Sequence, residues 1–180
     1  MRNVNAWLFV TLDGVVEAPE NWVMPDDEMF ADIGAGYAEA DALLLGRRTY
    51  EIFAASWPER GNDVDNAEWM NTTRKYVAST TLESPQWQNS SVIKGDVAES
   101  VGELKTQPGK DILVNGSAVL VRSLLGAGLL DELRLFVHPL AVGTGAKLFD
   151  GVDAKVELTL ADSRPYENGV MSLTYRGTPR

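Results

Sequence analysis

The same construction occurs twice in this sequence: a hydrophobic run that stops at glycine and passes directly into a helix start. The first is Ala42-Leu43-Leu44-Leu45-Gly46-Arg47-Arg48-Thr49-Tyr50, and the second is Ile112-Leu113-Val114-Asn115-Gly116-Ser117-Ala118-Val119-Leu120. Short apolar runs of this kind are buried strands, and a buried strand that feeds a helix is the unit of a helix-covered parallel sheet. Each junction also leaves backbone N–H groups free at a helix N-terminus, where an anion is favoured. Gly-Arg-x-Thr adds a guanidinium and a hydroxyl to the first cradle, and Asn-Gly-Ser lets a ligand approach the backbone of the second. Two cradles in one small fold suit a ligand with two phosphate-rich ends, such as a dinucleotide.

Composition narrows the alternatives. The 180 residues, 44% hydrophobic and 23% charged, read as one ordinary soluble domain spanning 1–180. No apolar run approaches the roughly 18 residues of a membrane span. The first expected strand lies so near Met1 that no secretory leader is expected. With no cysteine, disulfides, iron–sulfur clusters and thiolate zinc sites are excluded, and no metal site is expected; a cytoplasmic location fits. A net charge of −10 argues against nucleic acid or an anionic membrane as partner. Any bound anion therefore needs a local site acting against the overall field.

The coarse pattern is α/β. Val4 to Thr11 reads as a central strand, Leu12 to Pro25 as a loop, and Asp26 to Ala40 as a helix with Met29, Phe30, Ile33 and Tyr37 on one side. Gly34 and Gly36 weaken that helix by about 1 kcal/mol each relative to alanine. Ala42 to Leu45 is a strand, followed by a short helix from about Thr49. Further strands are expected at Tyr76 to Ser79, Ser91 to Ile93 and Asp111 to Val114. Asp96-x-x-Glu99 opens a helix as a capping box, and Ser117 caps another that ends near Gly126 or Gly128. Leu133 to Val137, Val156 to Leu160 and Val170 to Tyr175 complete the strands. The last two are expected to pair antiparallel across a turn that contains Asn168-Gly169. A mixed, mainly parallel sheet with an antiparallel C-terminal hairpin, flanked by helices, is the predicted architecture.

The order Thr11-Leu12-Asp13-Gly14, Leu45-Gly46-Arg47-Arg48-Thr49-Tyr50, Val77-Ala78-Ser79-Thr80 and Val114-Asn115-Gly116-Ser117 resembles the dihydrofolate reductase fold. It is closer to the branch that contains the C-terminal reductase domain of the bifunctional riboflavin-biosynthesis deaminase-reductase. Val137-His138-Pro139 and Gly143-x-Gly145 extend the resemblance over nearly the whole chain. The resemblance implies a three-layer fold with an eight-stranded mixed sheet, NADPH lying across it, and a reducible heterocycle beside the cofactor. By resemblance, Gly46, Arg47 and Thr49 hold cofactor phosphates, and Ser79 and Thr80 face the adenosine 2′-phosphate. Asn115, Gly116, Ser117 and Ala118 match the turn under the pyrophosphate and nicotinamide. Arginine favours a bidentate phosphate contact, so NADPH is expected in preference to NADH.

On the substrate side, Asp13 and Asp27 are the candidate catalytic acids. Asp13 follows the first strand, where a carboxylate can bind a ring N–H or organise a proton-donating water; Leu-Asp-Gly is equally suited to a turn. Asp27 lies among three acids after Pro25, where the family carries a pterin-binding carboxylate and where the helix dipole also favours acids. Trp22 and Trp57 can wall a flat ring or pack in the core. Arg74 and Lys75 can grip an anionic tail or remain surface charges. His138, the only histidine, is expected to be a satisfied core or interface group rather than part of a Ser-His-Asp triad. Zinc-dependent deamination is excluded, because its ligands are missing. Two readings stand. One is an NADPH-dependent reductase acting on a pyrimidine, pteridine or related heterocycle, similar to 5-amino-6-(5-phosphoribosylamino)uracil reductase or to a dihydrofolate or pteridine reductase. The other is a non-catalytic nucleotide-binding homodimer. The resemblance implies a homodimer in either case, and Leu133 to Val137, apolar on both faces, needs cover from helices or from a partner.

Overall fold

The computed structural model describes residues 1–60 and 66–177. The strands are β1 (Val4–Thr11), β2 (Ala40–Gly46), β3 (Arg74–Ala78), β4 (Ser90–Ile93), β5 (Asp111–Val114), β6 (Glu132–His138), β7 (Leu158–Pro165) and β8 (Met171–Gly177). The helices are α1 (Asp27–Ala38), α2 (Arg47–Ser56), α3 (Ala67–Thr72), α4 (Val97–Thr106) and α5 (Ala118–Gly126). The strands form one sheet in the order β4-β3-β2-β5-β1-β6-β8-β7. β1 to β6 are all parallel, whereas β8 runs antiparallel to both β6 and β7. The expected mixed sheet with its antiparallel C-terminal hairpin is therefore present. Among the described residues no helix is long and apolar enough to cross a membrane.

Alternation along the strands divides the interior in two. Ala6, Leu8, Leu44, Ile112 and Val114 face one side, where α4 supplies Val101 and Leu104 and α5 supplies Leu120, Val121 and Leu124. Leu43, Leu45, Val77, Leu113 and Phe136 face the other, against Met29, Ile33 and Tyr37 of α1 and Tyr50 of α2. Successive strand residues point to opposite faces, so the unbroken apolar runs in the sequence reflect cover on both sides.

Several boundaries differ from those expected from sequence. α2 begins at Arg47, directly after Gly46, which puts both arginines and Thr49 in its first turn rather than ahead of it. β7 begins at Leu158 instead of Val156 and runs to Pro165; it is a largely exposed edge strand, so burial leaves no alternation to mark its register. β3 starts at Arg74 because Lys75, expected at the surface, is wholly buried. The Lys75 ammonium donates to the carbonyls of Asn71, Thr73 and Gln88 at 3.1, 2.8 and 3.1 Å and lies over the Trp87 ring. Burial pushes its pKa down to about 8, while the three carbonyls and the indole face favour the charged form. Phe30, expected on the apolar side of α1, is 38% exposed. The six-residue α3 carries too little periodicity to be read from sequence.

One glycine in α1 has a packing cause. Trp7 of β1 lies so close to the helix that a Cβ on Gly36 would sit 1.7 Å from its Cη2. The lost helix propensity is the condition for stacking Trp7 on Tyr37, which in turn stacks on Trp69 with ring centroids 4.6 Å apart. In Gly36→Ala the overpacking cost of about 1–3 kcal/mol outweighs the gain in propensity. Chemical denaturation should therefore show a net loss of stability. A gain would mean that Trp7 moves aside freely.

Candidate functional site

Because β1 to β6 are parallel, their carboxyl ends share one edge of the sheet, at Thr11, Gly46, Ala78, Ile93, Val114 and His138. β2 and β5 are neighbours there, and the helices that follow them leave for opposite faces. Such a switch point opens a crevice beyond the strand ends, the usual ligand position in open α/β sheets. The two sequence motifs meet in this crevice. Gly46 N–H donates to Gly116 O at 3.0 Å, and a Cβ on Gly46 would lie 2.6 Å from Ser117 Oγ.

In the first cradle Gly46 is the N-cap of α2 and supplies no side-chain cap, so the first-turn N–H groups remain available. No acid occupies that turn, whereas Arg47 and Arg48 do. Arg47 donates through Nε to Glu51 at 2.7 Å and through Nη1 to Thr81 Oγ1 at 2.5 Å. Ser79 Oγ accepts from the N–H groups of Thr81 and Leu82, which folds the turn and leaves its own hydrogen free to donate. A crevice of about 320 Å³ is lined by Arg47, Ser79, Thr80 and Thr81 on its polar side and by Ala78, Ile93, Gly95 and Val97 on its apolar side.

In the second cradle the Gly116–Ser117 peptide bond is cis, and Gly116 has φ +112°, a conformation that favours glycine. A Cβ on Gly116 would approach Thr49 Oγ1 at 3.1 Å, which ties Thr49 to this turn. Ser117 caps α5 by accepting from Leu120 N–H, and Ala118 opens the helix. Asn115 hydrogen-bonds the buried Tyr37 hydroxyl, whose pKa burial pushes up to about 12. Asn115 Oδ1 is buried and has no partner among the described residues.

The sequence candidates thus form one group, Gly46, Arg47, Thr49, Ser79, Thr80, Asn115, Gly116, Ser117 and Ala118, along the carboxyl edge. Thr81, Ile93, Gly95 and Val97 were missed. A signal existed, because Ile93-Lys94-Gly95-Asp96 is a third strand-glycine-helix junction.

The two acids occupy different settings. Asp13 accepts from Thr11 Oγ1 at 2.6 Å, Gly143 N–H at 2.8 Å and Val142 N–H at 3.2 Å. The Thr11 hydroxyl and the Gly143 amide are the main causes that lower its pKa to about 2. A carboxyl group so bound holds no proton near neutrality, which casts Asp13 as a clamp between the loop after β1 and the loop after β6. Asp26, rather than Asp27, caps α1 by accepting from Met29 N–H. Asp27 is exposed at the first position of the helix, near the same edge.

Other expectations separate. Trp22 lies against the His138 ring at this edge, whereas Trp57 closes the far end of α2 with Arg60 over its ring, so the two do not wall one pocket. Lys75 is enclosed by carbonyls, and Arg74 opens β3 at the opposite end of the strand from the crevice; together they form no grip for an anionic tail. His138 is fully buried, as expected.

Comparison with known proteins agrees with this geometry. A family model described as the RibD C-terminal domain matches residues 2–172. The uncharacterized protein YyaP of Bacillus subtilis is 32% identical over 182 aligned residues, covering 97% of this chain and 94% of that protein. A Shewanella sp. PV-4 structure ascribed to riboflavin biosynthesis superposes with a TM-score of 0.80 at 18% identity, covering 98% of this chain and 99% of the other. Dihydrofolate reductase from Enterococcus faecalis, solved with NADP(H), gives 0.68 at 16% identity, with 98% and 97% covered. The fold is dihydrofolate reductase-like.

The clamp has a defined pH window. The folded pKa of Asp13 lies below its ordinary value of 3.8, so its contribution to stability is whole above that value and is lost as pH falls through about 2. Asp13→Asn should therefore melt below the wild type by a constant margin at neutral and weakly acidic pH. That margin should close between the ordinary carboxylate range and pH 2. Equal melting temperatures at pH 7 would show that the clamp carries no stability.

Proposed function

The chain belongs to the family of RibD C-terminal domains, and from that premise we propose that it is an NADPH-dependent reductase of a small nitrogen heterocycle. The reading takes its reaction to resemble that of 5-amino-6-(5-phosphoribosylamino)uracil reductase. The observation that carries the cofactor reading is the meeting of the two glycine turns at the switch point, with Arg47 beside them. Side chains are absent from both turns where a dinucleotide backbone would approach, and a Cβ at either would crowd the other. The residues fit the group. Arg47, Ser79, Thr80 and Thr81 would hold the adenosine phosphate, with Ile93 and Val97 against the adenine. The Gly46 and Gly116 turns, with Thr49, Ser117 and the Ala118 N-terminus of α5, would hold the pyrophosphate and orient the nicotinamide.

When bound, NADPH supplies the hydride. The chain has to orient the ring, exclude water and deliver a proton. Asp13 would fix the loop that covers this edge. Asp27, exposed at the start of α1, is the acid available for proton handling. Asn115 Oδ1 offers a fixed acceptor at the end of β5. A homodimer accords with the long exposed edge strand β7 and the exposed Leu160 on it.

This reading is tested at the cofactor phosphates, at the acid and in the oligomeric state. Arg47→Ala removes a charge-assisted contact worth about 1.5–3 kcal/mol, so NADPH affinity should fall at least about tenfold while NADH affinity changes little. Gly116→Val should abolish NADPH binding in a protein that keeps its circular dichroism. Equal affinity of the wild type for both cofactors would sink the phosphate assignment. In a panel of aminopyrimidines and pteridines, Asp27→Asn should lower turnover by about 10²–10⁴-fold with cofactor affinity unchanged. Full turnover in that variant moves the proton to a bound water. Light scattering at micromolar concentration should give the mass of two chains.

A further inference from the structure

We propose that His138 is a positioning residue that latches the Trp22–Met24 segment onto the carboxyl edge of the sheet, and that the latch holds only while the imidazole is neutral. His138 ends β6, in register with Thr11 at the end of β1, and is 0% exposed. Its Nδ1 accepts the backbone N–H of Met24 at 3.3 Å. A ring nitrogen that accepts carries no hydrogen, so in the neutral ring the proton sits on Nε2. That Nε2 is buried and has no partner among the described residues. The ring is enclosed by Phe9, at 5.6 Å between centroids, and by Trp22, at 5.4 Å. Trp22 is itself fixed by an indole N–H donated to Glu17 O. One imidazole thus meets both Trp22, through ring contact, and Met24, through a hydrogen bond, while Asn168 Nδ2 separately donates to Met24 O at 3.1 Å.

Among the described residues no charged group is placed to rescue an imidazolium there, and Glu167, in the turn whose Asn168 holds Met24, is exposed. On the loop after β1, Asp13 is taken by Thr11, Val142 and Gly143. On the covering segment, Glu17 pairs with Arg48 and accepts from Ala146 N–H, while Glu20 is exposed. At the start of α1, Asp26 caps the helix and Asp27 and Glu28 are exposed. On β6 itself Arg134 is bound to Ser172 and lies 3.9 Å from Asp32; β8 opposes the end of β6 with Met171 and adds no titratable group there. Burial accordingly lowers the His138 pKa. Protonation would place a hydrogen on Nδ1 facing the Met24 N–H, setting two donors against each other, and a charge among aromatic rings. The Met24 N–H would then lose its acceptor and the Trp22–Met24 segment would loosen, while the Asn168 contact and the Asp13 clamp, titrating near pH 2, still held the chain around it. The cover over the β1–β6 end of the carboxyl edge would relax under mild acid without unfolding. The proposal concerns the unliganded chain and stands whether or not the cofactor reading does.

Because His138 is the sole histidine, its titration is unambiguous. In ¹⁵N-labelled protein followed from about pH 8 to 5, the range of histidine titration, the ring should be the Nε2–H tautomer at the alkaline end. As it charges, below the ordinary histidine midpoint, hydrogen-exchange protection of the Met24 amide should be lost and the Trp22 indole resonance should shift with the same midpoint. Protection of strand amides in β1 should persist. His138→Asn offers an acceptor without a titration, so Met24 should stay protected across the range. An Nδ1–H tautomer, Met24 protection that survives ring protonation, or a ring neutral until global unfolding would each overturn the proposal. So would His138→Asn losing protection with the wild-type midpoint.

Discussion

The hydrogen bond from Gly46 N–H to Gly116 O joins two chain reversals that leave the sheet in opposite directions. α2 must turn toward one face and α5 toward the other within a space that a single methyl group would fill. Only glycine at position 46 allows the turns to interlock, and only glycine at 116 adopts the required φ without strain. Once they interlock, β5 is fixed between β1 and β2, and two helix N-termini open on one edge. The strand order and the electrostatics of the crevice are therefore consequences of the same contact.

Much of this was legible because burial writes itself into sequence. Leu43 to Leu45 and Ile112 to Val114 are apolar at every position since both faces of the sheet are covered, and Asp96, Ser117 and Asn168-Gly169 mark ends whose chemistry is local. The losses were of another kind. β7 is exposed on both faces and carries no burial pattern. Lys75 looks like a surface charge until the Gln88 carbonyl joins those of Asn71 and Thr73 just before it and closes a ring around its ammonium. Asp13 looks like a free acid until Val142 and Gly143 arrive from far along the chain. For Lys75 and Asp13 the near partners lie within a few residues, but the burial and the loop-to-loop contact that give them their roles come from distant segments.

The loops over the carboxyl edge are held by dissimilar fasteners, among them backbone bonds from Leu12 N–H to Leu140 O, from Val16 N–H to Ala146 O and from Leu148 N–H to Gly14 O. Asp13 and Glu17 bind backbone amides of the segment after β6, Val15 bridges to Lys147, and His138 holds Met24. Polar ties of this sort give a cover that is ordered yet weakly anchored compared with the packed core beneath it, the usual character of segments that move around ligands.

Each arginine of the first α2 turn already has an acid: Glu51 holds Arg47 and Glu17 holds Arg48. In a chain of net charge −10, an arriving anion meets long-range repulsion first and then must displace a carboxylate. Salt acts oppositely on these two stages. Screening the overall field speeds encounter, whereas screening the exposed guanidinium contact shortens residence. Ionic strength thus trades arrival against departure, and equilibrium affinity can stay nearly level while both rate constants rise.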